Sequence, residues 1–161
     1  DLIDIFFIGN DFGSQDGPLL GDGFFRRYVL PHLKRLISLG HQYGLKVQLH
    51  CCGGIVPLLP SLLEAELDAY HSVQPSCRDM DLKFLKDEYG DKLVFNGAID
   101  SHHVLINGNP DYVRLKTREV LDIMMPGGGY VAGASHDYIL EETPVENVAA
   151  MFDEVREYGK Y

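Results

Sequence analysis

The sequence predicts an α/β fold built on a parallel β-sheet, on three observations. Short β-rich apolar runs alternate with helical patterns five times along the chain, as parallel strands joined by crossover helices require. Glycine, proline and small polar residues punctuate the junctions. Chemically capable side chains gather after the strands, while the turns after the helices are plain. Ligands of parallel α/β folds bind beyond the carboxyl ends of their strands.

Leu2–Ile8 is the first strand and ends at Gly9. A polar turn-rich loop, Asn10 to Pro18, follows. Asp22 can cap the next helix, which begins near Phe24-Phe25 and runs to Gly40 and Gly44. Pro31 lies inside that helix, so a kink or two short helices are expected. The second strand, Lys46-Val-Gln-Leu-His50, runs into Cys51-Cys52-Gly53-Gly54. Ile55 to Leu67 reads as helix, and Asp68–Val73 as the third strand. Asp79 to Tyr89 is a short amphipathic helix with Leu82, Leu85 and Tyr89 on one face. Lys92–Ile99 is the fourth strand, with Asp100 at its end, and a polar loop carries Ser101, His102 and His103. The helix Asp111–Met125 is broken by Gly127 to Gly129. Tyr130–Ala134 is the fifth strand, and Pro144 opens a last helix through Tyr158 with Val148, Met151, Phe152 and Val155 inward.

Five strand–helix units in 161 residues leave two architectures. One is an open doubly wound sheet. The other is the later part of an eight-stranded barrel, whose full circuit takes about 250 residues. No repeat or linker divides the chain, so it reads as one domain. It starts at Asp1, almost at once inside a strand pattern, as a piece of a longer protein would. A partial barrel has two raw sheet edges, which predicts a homo-oligomer.

A hydrophobic content of 45% with 24% charged residues is that of a globular chain. The formal net charge of -10 argues against nucleic acid or an anionic membrane as a partner. Three cysteines, two of them adjacent, make no disulfide framework, and a reducing cytoplasm is the expected compartment. There is no membrane-spanning run and no signal peptide pattern.

His50 and Cys52 organise the functional reading. Two residues apart in extended chain, they project to one side. An imidazole nitrogen and a thiolate side by side are half of a zinc site, although buried cysteines also merely pack. His136, beyond the fifth strand, is the best candidate for a third metal ligand, the plainer alternative being a histidine that hydrogen-bonds a loop carbonyl. Asp11 and Asp100 are the carboxylates placed for catalysis, and Asp11 can also serve as a fourth oxygen ligand. His71, Gln74 and His136 are the candidates for binding a small-molecule substrate, with a core or rim position the plainer reading of His71. Cys51, facing away from Cys52, and Cys77 are read as structural. No Walker, dinucleotide or serine-elbow pattern is present.

Several segments resemble the uroporphyrinogen decarboxylase superfamily, in order and over nearly the whole chain. They are Asn10-Asp11-Phe12-Gly13-Ser14-Gln15, Leu30-Pro31-His32-Leu33-Lys34, His50-Cys51-Cys52-Gly53, Val73-Gln74-Pro75 and Phe95-Asn96-Gly97-Ala98-Ile99-Asp100. Gly128-Gly129-Tyr130 to Ser135-His136 and Thr143-Pro144-Val145-Glu146-Asn147-Val148 complete the match. The resemblance implies a (β/α)8 TIM barrel of which this chain supplies about five C-terminal βα units. It also implies two chemistries. In the corrinoid-dependent methyltransferases a His-X-Cys-Gly motif binds zinc and a thiol acceptor is methylated, the corrinoid or a corrinoid protein being the donor. Their third zinc ligand is a cysteine near the last loop, where this chain has Ser135-His136. The decarboxylase itself acts on a tetrapyrrole without metal or cofactor, through an aspartate and arginines near an amino terminus that this sequence does not include. A tetrapyrrole- or corrinoid-binding module without turnover is the non-enzymatic alternative.

Overall fold

The computed structural model describes residues 2–160. Five parallel strands form one sheet: β1 (Ile5–Gly9), β4 (Lys46–His50), β5 (Ala69–Val73), β6 (Val94–Ile99) and β7 (Tyr130–Ala134). A two-residue antiparallel hairpin, β2 (Gly13–Ser14) with β3 (Gly17–Pro18), follows β1 inside the segment expected to be loop. The helices are α1 (Asp22–Phe24), α2 (Leu30–Gln42), α3 (Leu59–Glu64), α4 (Leu82–Tyr89), α5 (Pro110–Met124) and α6 (Val145–Tyr158).

The strands neighbour one another in chain order, with no reversal. A doubly wound sheet reverses its order at a switch point, so that option does not describe this chain. Successive right-handed crossovers in one direction lay every helix on the same face. On that face Phe6 and Ile8, Val47 and Leu49, Tyr70, Phe95 and Tyr130 turn toward the helices, and all but the partly covered Phe6 are buried. Gly40 lets α2 approach the sheet closely, since a Cβ there would lie 2.5 Å from Val47 and 3.1 Å from Phe6. On the other face Ile5, Phe7 and Val131 remain 55%, 48% and 48% exposed. A cavity of about 930 Å³ opens beside it, at the end of the sheet opposite the candidate site, lined by Ile5, Lys46, Gln48, Val94 and Val131 among others.

Instead of two short helices, Pro31 stands at a change of helical geometry. Asp22 to Gln42 is one helical run whose middle, Phe25–Val29, widens into a π turn just before the proline. The proline ring cannot donate to the preceding turn, and the wider turn accommodates the missing bond. Gly21, not Asp22, is the N-cap; Asp22 instead accepts from Arg26 and from the Ser61 hydroxyl. Asp81 caps α4 by accepting from Phe84 N–H at 2.8 Å, and Asn109 caps α5 in the same way. The segment expected as helix from Ile55 is shorter: a 3-10 turn over Val56–Leu58, then α3.

In α6 the inward residues are Asn147, Ala150, Met151 and Glu154. Phe152, expected inward, is exposed, because the stripe facing α5 runs through positions one residue away. Asn147 donates to the carbonyls of Leu105 and Gly108, which ties α6 to the turn below the fourth strand. Glu154 is buried and accepts from Arg118 and Arg114, so a charge sits in the α5–α6 seam. The Arg118 hydrogen bond, reinforced by Arg114 and opposed by burial, holds its carboxyl below the usual range. A lowered carboxyl contributes stability above the ordinary glutamate pKa of about 4.3 and loses it as pH falls through the lowered value. Glu154→Gln should therefore flatten the acid limb of a thermal-stability profile measured by circular dichroism. An unchanged acid limb would show that the pair adds nothing.

Candidate metal centre

The site lies at the carboxyl end of the sheet, where three chain segments are laced by backbone. After β1, Asn10 N–H donates to the His50 carbonyl, which extends the β1–β4 ladder by one step. Phe12 N–H then donates to Cys51 Sγ at 3.1 Å, and Cys52 N–H donates to Asp11 Oδ1 at 2.8 Å. Gly54 N–H reaches the Ser14 carbonyl. Gly53, at φ +90°, passes so close that a Cβ would stand 2.6 Å from Gly13 C and 2.7 Å from Ser14 N. Only glycine fits both that conformation and that approach.

His50 and Cys52 do project together: Cys52 Sγ lies 3.6 Å from His50 Nε2. Asp11 Oδ1 stands 3.7 Å from the same nitrogen. The three ligand atoms lie within 4.8 Å of one another. These spacings fit a zinc ion. With Zn–S of about 2.3 Å and Zn–N and Zn–O of about 2.0–2.1 Å, a tetrahedral centre sets sulfur and nitrogen about 3.6 Å apart and nitrogen and oxygen about 3.4 Å apart.

A second group shares His50. The register of β4 and β5 places His71 directly beside it, and their Nδ1 atoms are 2.9 Å apart. Asp137 Oδ1 is 3.8 Å from His50 Nδ1 and 3.9 Å from His71 Nδ1. Phe7 stacks along His50 at a ring-centroid distance of 6.1 Å and lies 6.2 Å from His71. Burial, together with the neighbouring His50 and opposed by Asp137, pushes the His71 pKa down.

The other expected site residues fall elsewhere. His136 belongs to neither group; its Nδ1 lies against the Tyr138 backbone, 3.3 Å from the carbonyl and 3.4 Å from the amide nitrogen. Ser135 explains the difference. It is pinned by its N–H to the Ile99 carbonyl and by its hydroxyl, which accepts from Ser101 N–H. From that anchor Asp137 reaches the histidines and His136 turns to Tyr138. Gln74 is spent on the scaffold: its Oε1 accepts from Gly53 N–H at 2.7 Å and its Nε2 donates to the Ser135 carbonyl at 2.9 Å. Asp100, expected in catalysis, is buried, and its Oδ1 caps the π turn Ser101–Ile106 by accepting from His102 and His103 N–H.

Cys51 and Cys77 are buried as expected. Burial pushes the Cys51 thiol up to about 11, against the partial relief of the Phe12 and Gly13 amides. Burial first, and then Asp11, also raise the Cys52 thiol. Without a metal Cys52 is therefore a thiol at neutral pH, and a cation is needed to make it a thiolate. Iodoacetamide at pH 7.5 should label metal-free protein slowly, and at the partly exposed Cys52 before Cys51, as peptide mass mapping would show; equal labelling of both would contradict the burial difference.

Comparison with known proteins agrees with this fold. The family model for uroporphyrinogen decarboxylase (URO-D) matches residues 10–158. The methylcobamide:CoM methyltransferase MtbA of Methanosarcina acetivorans is 24% identical over 144 residues, which cover 87% of this chain and 38% of that protein. The uroporphyrinogen decarboxylase of Paraburkholderia phytofirmans is 28% identical over 148 residues, covering 89% of this chain and 38% of that one. A solved methyltransferase structure from Methanosarcina mazei superposes with a TM-score of 0.75 at 23% identity, over 98% of this chain and 43% of that one. The chain thus spans well under half the length of these relatives. With the match running over almost all of its residues, this chain belongs to the uroporphyrinogen decarboxylase (URO-D) family.

Proposed function

We propose that this chain supplies the metal-binding part of a zinc-dependent methyltransferase, acting on a thiol with a methyl group carried by a corrinoid. The observation that carries the proposal is the convergence of Cys52 Sγ, His50 Nε2 and Asp11 Oδ1 at zinc-ligand spacing. The local charge supports it. Asp11, Asp137, His50, His71 and Cys52 bring no fixed positive charge, which suits a cation better than a tetrapyrrole rich in carboxylates. Relatives of both chemistries match about equally, so the sequence comparison favours neither.

Zinc, when bound, would lower the pKa of a thiol at an open coordination position and keep it as thiolate at neutral pH. The protein's own groups prepare that position. His50 and Cys52 hold two corners, Asp11 offers an oxygen, and the Asp11–Cys52 N–H bond fixes the carboxylate. Gln74 clamps the Gly53 turn to Ser135 just after β7, which steadies the backbone that carries the sulfur. The open, partly apolar face with Phe7 and Val131 would be the inside of a (β/α)8 barrel, closed by strands that this chain does not contribute.

The test is methyl transfer from methylcobalamin to a small thiol by the whole protein, followed by the change in cobalamin absorbance. Transfer that stops with chelator and returns with zinc is the expected result. Decarboxylation of uroporphyrinogen that is indifferent to chelator would replace this reading with the decarboxylase one.

A further inference from the structure

We infer that His71 is a positioning residue for the metal centre: its Nδ1 accepts the Nδ1 proton of His50 and thereby leaves the His50 Nε2 lone pair facing Cys52 and Asp11. The inference rests on the metal reading and assigns to this chain a residue that the reading does not require.

Two ring nitrogens of the same kind, His50 Nδ1 and His71 Nδ1, lie 2.9 Å apart. At that distance one proton lies between them, so one ring donates and the other accepts. If His71 donated, a neutral His50 would carry its remaining proton on Nε2. That proton would point at Cys52 Sγ, 3.6 Å away, and would close the metal position. If His50 donates, Nε2 is bare and directed at the two other ligand atoms. Only the second arrangement leaves a nitrogen lone pair for an ion beside Cys52 and Asp11, so the metal reading selects it. Asp137 Oδ1 stands just beyond hydrogen-bond reach of both nitrogens and nearly equally far from each, so it steadies the shared proton without choosing its owner. Adjacent register positions on parallel strands fix the two rings, and Phe7 packs against both. His71 is not among the three residues whose ligand atoms converge around Cys52. A metal-bound histidine whose second nitrogen is held by a neighbour is the usual way such a ligand is oriented.

Two variants and two readouts test it. In metal-free, ¹⁵N-labelled protein, long-range proton–nitrogen NMR should show His50 protonated on Nδ1. His71→Phe should shift His50 toward the Nε2 tautomer, and His71→Gln, which keeps an acceptor, should restore Nδ1 protonation at least in part. Cobalt(II) affinity should fall about 10- to 100-fold in His71→Phe and recover toward wild type in His71→Gln, with the thiolate-to-cobalt absorption band present in all three. A wild-type His50 protonated on Nε2, or equal cobalt affinity in wild type and His71→Phe, overturns the role. Loss of the thiolate band in a folded His71→Phe protein overturns it too, because a positioning role leaves Cys52 on the metal. Wild-type protein that binds no cobalt(II) overturns the metal reading and this role together, whereas failure confined to the tautomer or the variants overturns this role alone.

Discussion

Replacing Cys52 by alanine should strip the protein of zinc while leaving it folded. The side chain is only partly covered, and its sulfur faces His50 Nε2 at 3.6 Å at the rim of the sheet. Its removal deletes the one sulfur of a three-residue ligand group. Structural zinc sites gain roughly 10–16 kcal/mol from their full ligand set, so a lost thiolate should cost several kcal/mol, or about a thousandfold or more in affinity. Metal analysis after gel filtration should find close to one zinc per wild-type chain and almost none in Cys52→Ala. The adjacent Cys51→Ala makes the control. Its sulfur lies in the core, accepts from Phe12 N–H and faces away from the ligand group. That variant should keep its zinc and lose about 1–2 kcal/mol in urea unfolding. Zinc retained by Cys52→Ala, or lost equally from both variants, would contradict the assignment.

Gly53→Ala should damage both the fold and the metal centre. The new Cβ would meet backbone atoms of Gly13 and Ser14 at 2.6–2.7 Å, with no flexible side chain to yield. The residue also sits at φ +90°, where an alanine is strained. Left-handed strain of about 1–2 kcal/mol and overpacking of about 1–3 kcal/mol add to roughly 2–5 kcal/mol. The damage would be both global and local. Pushing Gly13 away moves Asp11, and Asp11 holds Cys52 N–H. A urea midpoint lowered by that amount, together with weakened cobalt(II) binding, is the expected pair of results. An unchanged midpoint would show that the two loops are not in contact.

The parts of the site that could be read from the sequence were those governed by local spacing. The two-residue period of an extended chain was enough to place His50 and Cys52 together, and it held. The five strands were legible because each is a short β-rich run bounded by turn residues, and β7 was found at its observed limits. Residues whose roles depend on register or on one anchored turn were not. His71 reads as a rim histidine until the β4–β5 register sets it beside His50. The sequence pointed to His136, yet in the turn after Ser135 its neighbour Asp137 lies nearer the paired histidines while His136 turns to Tyr138. Asp100 and Gln74 have the side chains of a catalytic and a binding residue, yet cap a turn and brace a loop. Glu154 looks like the solvated side of α6, because the arginines that allow its burial lie on α5, more than thirty residues earlier.

The most direct measurement is zinc K-edge X-ray absorption on the purified protein. The account predicts a first shell with a single sulfur at about 2.3 Å and nitrogen or oxygen neighbours at about 2.0–2.2 Å, one of them an imidazole. A protein that retains no zinc after purification, or a shell made of nitrogen and oxygen alone, would contradict it.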